Sequence, residues 1–218
     1  MRTPREIYSA YNIMPNLQLH QLRVAAVGKL ICENFKQPVD KDDVILACLF
    51  HDMGNILKFD LTYFPDAVEP EGLAYWEGVK ADYEKKYGPE QHAATEALAR
   101  EIGLPERVVQ LIGMVRFGAL DRILGESTWE PKIIEYGDCR VAPYGIVPIR
   151  ERFLDGRKRY LHRFPTAAEN DAHYDRLTAI GYELEQQIFA HAHITPEDIS
   201  DTSGVPVIEE LWEYPVNP

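Results

Sequence analysis

The residues of this chain best suited to hold a metal ion are His20, the adjacent pair His51-Asp52, and Asp138. Two imidazoles and two carboxylates make a mixed nitrogen and oxygen donor set. Such a set suits one borderline or hard divalent ion (Mn, Fe, Co, Ni or Mg) and suits a sulfur-seeking site poorly. Spacing puts each ligand on an apolar face. His20 is followed at helical intervals by Val24, Val27, Ile31 and Phe35, so it lies on the inner stripe of a helix over Leu17–Phe35. The run from Val44 to Phe50 reads VILACLF, apolar all round, and delivers His51 and Asp52 at its end. Asp138 shares one face with Ile134 and Val141 in a helix opened by Pro131 and running through Val141. A lone buried carboxylate is costly unless a cation, a metal or hydrogen bonds stabilise its charge. Any one of these residues alone would read as a satisfied core polar group. Four of them on three separate apolar faces read as a metal site.

The elements that must position them are helices throughout. The chain has 218 residues, 45% hydrophobic and 27% charged, enough for one domain with a sizeable core. The expected fold is all-α, a helical bundle with a single core over 1–218, its centre at about 17–160 and further helices beyond. Gly54 is expected to stop the His51 helix, and 58–76, with Pro70 and Gly72, reads as a long loop or lid. Helices are expected near Glu77–Tyr87, Pro89–Ile102, Glu106–Phe117, Arg150–Tyr160 and Glu169–His193. From Ser200 on, Pro206, Pro215 and Pro218 suggest an irregular strap over the surface. Cys32, Cys48 and Cys139 are an odd number without CxxC spacing, which argues against a disulfide framework or a zinc knuckle. No apolar run reaches the roughly 18 to 20 residues that cross a bilayer, and the first residues lack a signal-peptide pattern. A cytoplasmic protein without a membrane partner is the simplest expectation, and a homo-oligomer stays open. A net charge of −12 argues against a polymeric nucleic acid as partner but permits a small phosphorylated molecule, whose charge a metal and a few cations can neutralise.

His20 followed by RVA at 23–25, CLFHDMG at 48–54 and YGDCRV at 136–141 together resemble the H…HD…D signature of the HD-domain metal-dependent phosphohydrolases. The resemblance covers roughly residues 17–160. It implies the all-α bundle of that family and a divalent metal bound by His20, His51, Asp52 and Asp138, with Asp52 also orienting the attacking water. The sequence departs from the pattern in two places. Asn55 stands where many members carry lysine and some carry a carboxylate acid, which makes Lys58 a candidate phosphate contact and Asp60 a candidate acid or water-orienting group. Dinuclear members carry two further histidines. His92 in GPEQHAATEALAREIG stands at the first position, but LIGMVRFGAL offers Arg116 at the second, which leaves a second metal site incomplete. His92 and Arg116 are then expected to bind substrate, the arginine pairing with phosphate oxygens through its planar fork. Arg23, one turn after His20, is a further candidate for an anion beside the metal.

These residues point to metal-assisted hydrolysis of a small phosphoester, a nucleotide or a related compound. Two other readings remain open: a nucleotide-binding or regulatory module whose metal supports no turnover, and a dinuclear-iron oxygenase of the same fold. The basic run IRERFLDGRKRYLHR, in so acidic a chain, reads first as a solvated helix face and second as a contact for phosphate tails, an allosteric nucleotide or an acidic neighbour.

Overall fold

The computed structural model describes residues 2–63, 68–116 and 118–217, and among these helices dominate. Thr3 and Glu6 form a capping box that opens α1 (Pro4–Ala10), a helix too short for its apolar pattern to announce. α2 (Pro15–Glu33) begins on a proline, whose missing N–H would have no intrahelical partner there. With Leu22, Val24, Val27 and Ile31 buried, it packs against α3 (Lys41–Phe50), which Asp40 caps by accepting from the Asp43 amide. Every residue of α3 from Val44 to Phe50 is buried, as an all-round apolar helix requires.

A 3-10 turn covers Asn55–Lys58, and of the segment expected as a loop, residues 64–67 lie outside the described residues. α4 (Leu73–Tyr87), α5 (Gln91–Ile102) and α6 (Glu106–Met114) follow, with α6 against α3 and α5 against α6. After the short α7 (Leu120–Leu124), α8 (Glu130–Asp138) returns to pack on both α2 and α3. The three ligand-bearing helices therefore share one interface. β1 (Val141–Ala142) and β2 (Gly145–Ile146) pair antiparallel, Val141 opposite Ile146. α9 (Ile149–Arg159) packs against the long α10 (Ala167–Phe189), and α11 (Asp201–Leu211) lies on α2. One cluster of buried apolar side chains runs from Ile7 to Val216. No helix among the described residues is long and apolar enough to cross a membrane.

Four expectations about elements are corrected. The helix through Asp138 stops there instead of reaching Val141. Arg140, only 2% exposed, clamps the turn by donating to the carbonyls of Val147 (2.6 Å) and Ile199 (2.7 Å). The helix expected to reach His193 ends at Phe189. Ala192 then pairs with Phe35, with Lys36 N–H donating to His191 O at 2.7 Å and His193 N–H to Asn34 O at 2.8 Å. The expected surface strap is mostly α11, which starts in a capping box of Ser200 and Ser203 and buries Val207 and Leu211. Pro206 is tolerated inside it because the carbonyl it orphans belongs to exposed Thr202. Finally, Gly54 is no left-handed helix stop: its φ is −90°. A Cβ at Gly54 would lie 2.5 Å from Gln91 O and 2.9 Å from Thr95 Oγ1, so the close approach of α5 demands the glycine.

Candidate metal centre

His20 reaches the site from α2, His51 and Asp52 from the end of α3, and Asp138 from the last position of α8. Their ligand atoms converge. His20 Nε2 lies 3.1 Å from Asp138 Oδ1 and 3.5 Å from Asp52 Oδ2. His51 Nε2 lies 3.7 Å from Asp52 Oδ2 and 3.9 Å from Asp138 Oδ1. The ligand atoms of His20, His51 and Asp52 all fall within 4.8 Å of one another. Ligands about 2.1 Å from a shared ion sit roughly 3.0 to 3.5 Å apart, so the arrangement needs only small closure around a metal.

The local hydrogen bonds orient these groups. His51 Nδ1 lies 2.8 Å from Cys48 O, and since a carbonyl can only accept, that nitrogen carries the proton. Its Nε2 is buried and has no hydrogen-bond partner, as a ligating lone pair would be. The Asp52 amide donates to Gln21 Oε1 at 3.1 Å, so Gln21 fixes the turn that aims Asp52. A Cβ on Gly137 would come within 3.1 Å of Val24 O, and the absence of one lets α8 bring Asp138 up to His20. Burial pushes the Asp52 carboxyl up, but the charges of His51, Lys58 and His20 outweigh it and hold the group below the usual range. Burial acts likewise on Asp138, and the hydrogen bond from His20 with the charges of His20 and His51 holds it well below. Burial lowers His51, yet the charges of Asp52 and Asp138 carry it up to about 9. Two ionised carboxylates thus attract positive charge, a proton in its absence and a divalent ion by preference. The donor set fits such an ion.

The ligands open into a cavity of about 500 Å³. Arg23, Lys58, His92 and Arg116, all expected to bind substrate, line it. Arg23 Nη1 donates to Pro143 O at 3.1 Å, holding the wall formed by the β1–β2 turn. Burial and the Arg116 charge depress His92, keeping its ring neutral near neutral pH. Asp60 is not brought to this cavity. It is exposed, and its Oδ1 accepts from Thr62 N at 3.0 Å and Thr62 Oγ1 at 2.6 Å, bonds that hold its carboxyl below the usual range. A carboxylate so placed caps a turn and does not deliver a proton to the site. Asn55, the departure from the family pattern, is buried in the cavity wall.

Two groups escaped the sequence reading, and a third had a phosphate contact only as its second reading. Gln21 follows a ligand in the sequence and carried no signal of its own. Glu135, one turn before Asp138, is fully buried and accepts from the Arg116 amide at 3.1 Å, fixing the backbone that presents Arg116. Arg152, Arg159 and Arg163 also line the cavity, where a solvated helix face was the first expectation. Neither the burial of Glu135 nor the direction of α9 carried a signal in the sequence.

Residues 18–123 match the family model of the HD domain. The match takes in His20, His51, Asp52, His92 and Arg116 and ends before Asp138. The family is one of metal-dependent hydrolases that bind divalent ions, and the cluster in this chain is compatible with one. Comparison with curated proteins and with solved structures gave no match.

Proposed function

We propose that this chain hydrolyses a small phosphorylated substrate, a nucleotide or related phosphoester, at one divalent ion held by His20, His51, Asp52 and Asp138. One observation carries the reading. The converging ligands share a cavity whose described lining holds six basic side chains and two carboxylates, in a protein of net charge −12. With the two carboxylates committed to the ion, the remaining lining is cationic and suits a phosphate. The same negative surface disfavours a polymeric nucleic acid.

When bound, the divalent ion supplies Lewis acidity toward water and a phosphoryl oxygen. The chain's own groups do the rest. His51, its tautomer set by Cys48 O, presents Nε2 and takes no proton from the reaction. Asp52 turns Oδ2 toward the histidine nitrogens, which leaves Oδ1 to accept a hydrogen bond from the attacking water. Lys58 and Arg116 offset charge on the phosphoryl oxygens as it develops, and act most strongly where water is excluded. Arg23 holds the wall against which the substrate sits.

The test is a panel of nucleotides, sugar phosphates and generic phosphoesters with several divalent metals, run beside metal analysis. His51→Ala and Asp52→Ala should lose metal and turnover together, by more than the roughly 100-fold that loss of a group behind a ligand costs. Retention of both by the double variant would sink the assignment. Two irons per chain would favour an oxygenase instead, and a fully loaded protein without turnover would favour a binding module.

A further inference from the structure

We propose that the cavity takes a ligand with two phosphate groups, one beside the metal ligands and the second against Arg152, Arg159 and Arg163. The placement of the first phosphate rests on the function proposed above; the second is argued from a part of the chain beyond the matched HD segment. The basic run divides. Arg157 turns to the surface, where it pairs with Asp171 (3.6 Å) and Asp175. Arg152 and Arg159, from α9, and Arg163, from the 3-10 turn after it, face the cavity with Tyr160 and Tyr174. Asn170 holds the two helices together by donating to Arg157 O at 2.9 Å.

Three guanidiniums gathered in one cavity wall repel each other. Burial and the Arg152 charge push Arg159 below its usual value, and Asp155 pairs with Arg159. An anion entering this wall relieves the repulsion. The aromatic groups favour a phosphate here over a base: the Tyr160 ring already carries Arg163 at 4.4 Å and Arg159 at 5.2 Å from its centre. Stacked in this way, Arg163 turns its donor edge to oxygen atoms and Arg159 has donors beyond the one that Asp155 takes, and the planar fork matches phosphate geometry. Asp52 and Asp138 are the only carboxylates among the described lining residues, and both serve the metal, so none opposes the second phosphate.

The full-length protein loaded with Mn²⁺ tests this with two matched pairs: a nucleoside 5′-monophosphate against the 3′,5′-bisphosphate, and a hexose 6-phosphate against the 1,6-bisphosphate. Binding is read by calorimetry and by melting shift, and turnover separately. On at least one scaffold the bisphosphate should bind about tenfold tighter than its monophosphate, and the scaffold that shows the preference identifies the spacer. Arg152→Gln and Arg163→Ala should each reduce that ratio by up to about tenfold, the effect of losing one charge-assisted hydrogen bond. Arg163 is exposed, so its variant keeps the unliganded melting temperature even if Arg152→Gln does not. Ratios near one on both scaffolds, or a preference that survives Arg163→Ala in combination with Arg152→Gln, overturn the subsite. Arginine-dependent bisphosphate binding without turnover leaves the subsite standing and removes the hydrolase; turnover of monophosphates with a ratio of one does the reverse.

Discussion

Glu135 shows how much of the site depends on a residue that never touches it. The side chain is fully buried; one carboxylate oxygen accepts from the Arg116 amide and the other has no hydrogen-bond partner. Burial, and then the nearby Asp138 charge, push this carboxyl well above the usual value. A carboxyl raised in the folded state opposes folding once the unfolded chain can ionise it, so the protein loses stability as pH climbs above about 4.3. Glu135→Gln keeps an oxygen for the Arg116 amide and removes the ionisation. At equal metal loading the variant should therefore melt higher than the wild type at pH 7, with the difference closing toward pH 4. Parallel melting curves across that range would show that Glu135 is ionised in the fold and that another group compensates it. The metal ligands were legible at this scale because helical phase put each on an apolar face. Glu135 was hidden because a glutamate between isoleucine and tyrosine looks like any surface residue until the packing is known.

At the scale of elements, the site depends on how closely helices approach. The end of α3 can turn toward His20 only because α5 fits against Gly54, whose amide donates to Thr95 Oγ1 at 2.9 Å. A methyl group there would meet a backbone carbonyl at 2.5 Å, and backbone yields less readily than the end of a side chain. Gly54→Ala should cost about 1 to 3 kcal/mol in stability, the usual range for overpacking. It should also displace the turn that carries Asp52 and weaken metal binding, whereas Gly78→Ala, with open space around it in α4, should do neither. Denaturant unfolding with and without metal distinguishes these outcomes. The long amphipathic elements were readable from their periodicity. α11 was not, since Pro206 inside it and the prolines after it outweighed the capping Ser200 and Ser203 and the buried Val207 and Leu211. The β1–β2 turn was not, since two-residue strands leave no alternation to read.

At the scale of the whole molecule, the ligands stitch together α2, α3 and α8, the helices at the centre of the core, so metal removal should be felt globally. This connection could be anticipated from three apolar faces that each end in a ligand. The placement of the arginine wall beside it could not, because that depends on the approach of α9 and α10 to a site contributed by residues far earlier in the chain. His51 sets the pH dependence of the metal's effect. Its ordinary value is near 6.5, and the metal-free fold raises it to about 9, so the proton it gains stabilises the fold fully below about 6.5 and less as pH rises through about 9. A divalent ion competes for the same Nε2 and needs it unprotonated, so metal affinity should rise over the same interval. At a free metal concentration about 100 times Kd, the ion adds about 2.7 kcal/mol to the fold, or roughly 5 to 10 °C in Tm for a chain of this size. At fixed free metal that shift should grow from pH 6.5 to pH 9, and in His51→Ala it should be largely absent. A shift that stays constant with pH, or shrinks as pH rises, would mean that the ion does not displace a proton from His51.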